Sequence, residues 1–128
     1  MDKTINQYIK VSETDVPEYC PPKHDNTFNR RLLGPKEGSM QMEFIIGRMK
    51  KGGNASPHLH SAFDQVMYML EGKVRVTGDG ADVFLVPGDL IYFPQNCMHE
   101  VDVQTEEAKF IVLYSPPRES SPEAVNKG

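Results

Sequence analysis

The residues with the most chemistry in their spacing are His58 and His60, followed by Gln65 and, beyond a Pro87-Gly88-Asp89 turn, by His99. Two positions apart on a β-strand, side chains project from one face, whereas on a helix they diverge, so a strand makes the two imidazoles convergent. That is a chelate. With Gln65 on the next strand and His99 on a later one, three imidazole nitrogens and an amide oxygen can surround one divalent ion and leave positions open for water or substrate. The expected cofactor is therefore one divalent transition metal ion. Zinc, nickel, iron, manganese and cobalt all accept these donors, so ligand type leaves the choice among them open.

The elements that must hold these residues are strands. From Met40 onward apolar residues alternate, and turn chemistry recurs at the roughly 8 to 12 residue spacing of sandwiches and barrels. Met42, Phe44 and Ile46 share one face of a first strand, with Arg48 on the same side, and Gly52-Gly53-Asn54 ends it. His58 and His60 then occupy a short strand. Residues 65–70 form the next, with Gln65, Met67 and Met69 on one face, the methionines reading as adaptable apolar lining of a partly dry pocket. Residues 73–77 and 81–86 flank Gly78-Asp79-Gly80, a hairpin signal. Strands over 90–93, 98–103 and 109–114 complete the set, the last apolar on both faces and so read as buried.

The first 39 residues are less regular. Strands are expected at 7–11 and, as an edge strand, at 29–33, while Pro17, Pro21 and Pro22 forbid regular structure between 16 and 23. His24, between Lys23 and Asp25, reads as a solvated loop residue, and Lys50-Lys51 as a solvated turn. Cys97, two positions before His99, reads as a buried inert thiol. After Pro116 the chain is rich in proline, serine and glutamate, and residues 120–128 are expected to be disordered.

Composition narrows the function classes. A chain of 128 residues suits one domain with a single core. Fourteen basic against 18 acidic residues give a net charge of −4 with no strong asymmetry, so nucleic acid is not an expected partner. The amino terminus lacks the apolar core of a signal peptide, and no run reaches the roughly 18 apolar residues of a membrane span. A cytoplasmic protein without a membrane partner is expected. There, Cys20 and Cys97 are two free thiols.

With these residues placed, the sequence resembles the cupin superfamily across both of its signature motifs. The first, glycine, five residues, His-x-His, three or four residues, glutamate, six residues and glycine, is met by Gly52, His58, His60, position 65 and Gly72, with Gln65 in place of the glutamate. The second, glycine, five residues, proline, one residue, glycine, two residues and histidine, is met by Gly88, Pro94, Asn96 and His99, with Asn96 in place of the second glycine. Asparagine tolerates left-handed torsions better than other non-glycine residues. The resemblance implies an all-β, single-domain, double-stranded β-helix, a jelly-roll or cupin barrel, over residues 40–118, after an amino-terminal extension of 1–39 and before a tail of 119–128. It places the metal inside, on His58, His60, Gln65 and His99.

Gln65 together with Ser115-Pro116-Pro117-Arg118 is similar to the KdgF family of small cupins, which linearise unsaturated monouronates. That likeness makes Arg118 the substrate-binding arginine and Tyr114 the family's aromatic residue. The family's acidic residue six positions before the arginine corresponds here to Val112.

A neutral donor set leaves the ion's charge uncompensated where a glutamate would cancel about one unit, which makes the ion a stronger Lewis acid. The expected function is therefore a metal-dependent enzyme of isomerase or lyase type, acting on a small oxygenated molecule such as a keto or uronate sugar acid. Arg118 and Tyr114 are its expected catalytic-site residues. Two alternatives stand beside it: a non-enzymatic metal- or ligand-binding sensor, motivated by Val112, and an iron-dependent dioxygenase. The expected partners are a small-molecule substrate or ligand and a second copy of the chain, a homodimer in which the amino-terminal segment adds to a sheet edge.

Overall fold

Period-two alternation of apolar side chains runs through the chain, and in the computed structural model each such run is a strand. Residues 7–21, 24–58, 62–78 and 80–118 are described, with backbone alone for 55–58. The strands are β1 His24–Leu33, β2 Glu43–His58, β3 Asp64–Glu71, β4 Val74–Gly78, β5 Val83–Leu85, β6 Leu90–Phe93, β7 His99–Val103 and β8 Glu107–Ser115. Helical structure among the described residues amounts to two short 3-10 turns, Glu13–Asp15 and Pro35–Glu37. None of it is long and apolar enough to cross a membrane.

The long strand β2 organises the sheet. Its first half pairs with β8, which continues to β3 and β6, and its second half pairs with β7, which continues to β4 and β5. Antiparallel strand β1 runs along the other side of both halves. The two wings curl toward each other as the double-stranded β-helix expected from the motifs. Register explains what lies inside, because residues directly opposite one another in an antiparallel ladder share a face. Ile45, opposite Val112, and Met67, also opposite Val112, are all buried, as are Val74 and Val76 opposite Val103 and Val101.

Several local expectations are corrected. The buried face of β2 carries Glu43, Ile45, Gly47 and Met49, while of Met42, Phe44, Ile46 and Arg48 only Ile46 is buried. Gly52-Gly53-Asn54 does not end that strand but bends it. Gly52 has φ +85, and a Cβ on Gly53 would meet the Asp25 carbonyl of β1 at 2.9 Å, so glycine lets the bent strand keep its neighbour. Lys50 and Lys51 accordingly belong to β2, although both are exposed. Residues 7–11 form no strand, since Tyr8 and Ile9 are exposed and meet no sheet edge. The expected edge strand at 29–33 is present and starts earlier, at His24. The tail expected to be disordered lies outside the described residues.

Turn chemistry in the second motif is as the sequence requires. Gly88 has φ 97, and Asn96, standing where the motif has glycine, has φ 67. The Cys97 backbone N–H donates to the Pro94 carbonyl, closing the turn that feeds His99 into β7.

Candidate functional site

His99 opens β7 and is 2% exposed. Its Nδ1 lies 3.0 Å from the Cys97 carbonyl, and because a carbonyl only accepts, Nδ1 carries the proton and Nε2 is the acceptor nitrogen. Its ring stacks on Phe93 with centroids 3.9 Å apart and planes within 14°, which fixes the orientation. Burial is the main reason its pKa is lowered, opposed by the Cys97 hydrogen bond and assisted by His24. A neutral imidazole with one tautomer locked by a backbone carbonyl is the form that binds a metal.

Gln65, on β3, stands opposite Phe93 of β6 and Tyr114 of β8. Period two does place Gln65, Met67 and Met69 on one buried face. Gln65 is 8% exposed, and its Oε1 has no hydrogen-bond partner among the described residues. A buried amide oxygen left unpaired costs free energy, which marks Gln65 as a candidate donor.

Gln65 and His99 line one cavity between the two wings, with Met49, Met67, Phe110 and Val112 as its apolar wall and Tyr114 at the Gln65 end. His58 occupies the register position directly opposite His99. The backbone ladder thus brings these two positions side by side. The His58 side chain and all of His60 lie outside what is described, and the remaining residues contain no group of three or more His, Cys, Asp or Glu side chains spaced to hold an ion.

One cavity residue went unread in the sequence. His24 is not a solvated loop residue; it opens β1, opposite Ala55, and lines the same cavity as Gln65 and His99. Strict alternation from the buried Thr27 would turn His24 outward. Between them Asn26 adopts φ 48 and stands alone against the bend at 50–53 of β2, a register irregularity that shifts the alternation by one. As a result His24, Thr27 and Asn29 all face the cavity. Such irregularities re-aim side chains and concentrate beside functional sites.

Beyond Tyr114 lies a charged cluster. Glu43, 0% exposed, accepts from Arg31 Nε at 2.5 Å and from the Arg118 backbone N–H at 2.7 Å. Arg31 Nη2 also donates to the Tyr19 hydroxyl at 3.3 Å. The Ser115-Pro116 peptide is cis. Arg118 is half-buried, and its Nε has no hydrogen-bond partner among the described residues. Burial pushes the Tyr114 phenol well above its usual 10.0, with Arg118 pulling it down and Glu43 pushing it up, so Tyr114 keeps its proton at any ordinary pH. Arg31 and Arg118 lie near enough to act on it, Arg31 being paired with Glu43.

The remaining candidates sort simply. Arg48 faces away, bound to Glu18 at 3.0 Å and Glu107 at 2.9 Å. Cys97 is partly buried against the core, and it and Cys20 are free thiols. The chemistry this arrangement offers is a neutral nitrogen and oxygen donor pair in a pocket of mixed polar and apolar lining, with a phenol donor at one end.

The cupin domain family matches residues 45–114. Among curated relatives, the pectin degradation protein KdgF of Dickeya dadantii (strain 3937) is 34% identical over 80 residues, 62% of this chain and 73% of that protein. Quercetin 2,3-dioxygenase of Bacillus subtilis (strain 168) is 29% identical over 88 residues, 69% of this chain, which spans only 26% of the dioxygenase. Among solved structures, KdgF from a Halomonas species superposes with a TM-score of 0.76 at 20% identity, covering 85% of this chain and 95% of that one.

Proposed function

Because this chain belongs to the cupin family, we propose that its barrel cavity is the active site of a metal-dependent enzyme of isomerase or lyase type, acting on a small oxygenated acid such as a keto or uronate sugar acid. The observation that carries this reading is the buried, unpartnered Gln65 Oε1 sharing a cavity with His99, whose register partner is His58. His58, His60, Gln65 and His99 would hold one divalent ion, zinc, nickel, iron, manganese or cobalt. When bound, the ion supplies Lewis-acid polarisation of a carbonyl or hydroxyl oxygen, strengthened by the neutral donor set.

The chain's own residues do the rest. Met49, Met67 and Phe110 exclude water from the pocket and so strengthen every polar contact within it. Tyr114 Oη, held protonated by burial, donates a hydrogen bond to a ligand oxygen. Arg118 offers its guanidinium to the ligand's carboxylate, with Glu43 fixing the backbone from which it projects. Arg118, whose Nε has no hydrogen-bond partner among the described residues, supports an anionic substrate.

The relatives named above are a pectin degradation protein and a quercetin 2,3-dioxygenase. The test is turnover of unsaturated uronates and related keto acids by metal-loaded protein. Product formation above that of the metal-stripped protein is expected, and its absence rejects this substrate class. A second reading, a ligand-binding or sensor cupin, is favoured by Val112, which puts an apolar side chain on the cavity wall where KdgF-like cupins carry an acid. It would show thermal stabilisation by the ligand without product.

The proposed assembly is a homodimer. Tyr68, Leu90 and Tyr92 form an exposed apolar patch on the outer face of β3 and β6, which a second copy would cover. Light scattering coupled to gel filtration is expected to give twice the chain mass of 14.4 kDa, a monomer mass being the contrary result.

A further inference from the structure

We propose that His24 is an additional protein ligand of the same ion, so that β1 completes the site from outside the segment matched to the family. This rests on the metal-centre reading above and adds to it a donor that neither motif contains. His24 lies before the matched residues 45–114. It nevertheless lines the cavity that holds Gln65 and His99.

Three features of the backbone argue that this placement is built in. First, in the register row His24–Ala55–Val101 the two outer residues flank β2 on the interior face, and His99 lies two residues from Val101 along β7 on that same face. Second, only the irregularity at Asn26 brings His24 inward. A non-glycine residue held at positive φ persists where the surroundings impose it, characteristically at ligand clamps and active sites. Third, Thr27 and Asn29 of the same strand line that cavity too, so β1 forms one of its walls. Two imidazoles facing one pocket can share a cation.

The consequence is chemical. Five protein donors would leave the ion fewer open positions than the motif residues alone. A ligand acid would then rely more on Tyr114 and Arg118 for its remaining polar groups.

The test needs no turnover. The chain, labelled with nitrogen-15 in histidine and loaded with cadmium-113, is expected to show scalar coupling from the metal to a ring nitrogen of all four of its histidines, His24 included. Coupling to His58, His60 and His99 but not His24 overturns this inference and leaves the metal centre intact, whereas no stoichiometric cadmium in the parent chain overturns both. In parallel, His24→Ala is expected to bind Co2+ roughly tenfold or more weakly, with an altered visible spectrum. His24→Gln, which keeps a donor, should recover part of that loss. Parent-like affinity and spectrum in a folded His24→Ala variant would again overturn the proposal.

Discussion

The carboxylate of Glu43, at the start of β2, accepts the backbone N–H of Arg118 at 2.7 Å, so a fully buried charge holds the last described residue of the chain against the barrel. The same carboxylate takes the Nε hydrogen of Arg31, whose side chain is 24% exposed. Removing one partner of such a pair leaves the other's charge uncompensated. Glu43→Ala is expected to destabilise the fold by about 3 kcal/mol, measured by urea denaturation. Glu43→Gln, which still accepts from the Arg118 N–H, should cost clearly less. Equal losses in the two variants would contradict this account.

Arg118→Ala should leave stability nearly unchanged and raise KM for an acidic substrate at least tenfold. Arg118→Lys recovers only part of it, since an ammonium cannot replace a planar bidentate donor. Tyr114→Phe should instead lower kcat with little effect on KM, because its hydrogen bond matters most to an oxygen gaining charge. Steady-state kinetics on both variants checks the division.

Gln65 sets both affinity and reactivity. Replacement by Ala removes a donor and is expected to weaken binding of the divalent ion roughly tenfold or more. Gln65→Glu adds a negative charge, so the ion should bind more tightly while polarising substrate less. Chelator competition reads the first effect and turnover the second. A Glu variant that binds more weakly than the parent would argue against direct coordination.

Alkali should unfold the protein through its buried phenols. The pKa values of Tyr19 and Tyr114 are raised above the ordinary 10.0, chiefly by burial. A group whose folded pKa exceeds its unfolded value adds stability that is present below the unfolded pKa and lost as pH rises through the folded one. Stability should thus fall above about pH 10, as followed by tyrosinate absorbance together with circular dichroism. Tyr114→Phe should flatten the decline.

The sequence made much of this legible where local rules govern. Gln65, Met67 and Met69 share a buried face because period two holds along an uninterrupted strand. Asn96 takes the left-handed turn because its side chain tolerates that torsion. What the sequence hid depends on departures from local rule. Gly52-Gly53-Asn54 carries every mark of a turn, yet it bends a strand held by neighbours distant in sequence. His24 sits between two charged residues, and only a tertiary irregularity at Asn26 brings it inside. Glu43, an acid in an apolar run, gave no sign that it would be fully buried until its partners Arg31 and Arg118 were placed in space.

Strand β1 bonds to β2 on both sides of the bend at Gly52, with Thr27 opposite Met49 and Asp25 opposite Asn54. It therefore splints the joint between the wing that carries Gln65 and the wing that carries His99. Opening or closing that angle would break ladder hydrogen bonds, so the span between the two donors is fixed when the chain folds rather than when a ligand arrives. A ligand held between the two positions would therefore have to match a preset gap.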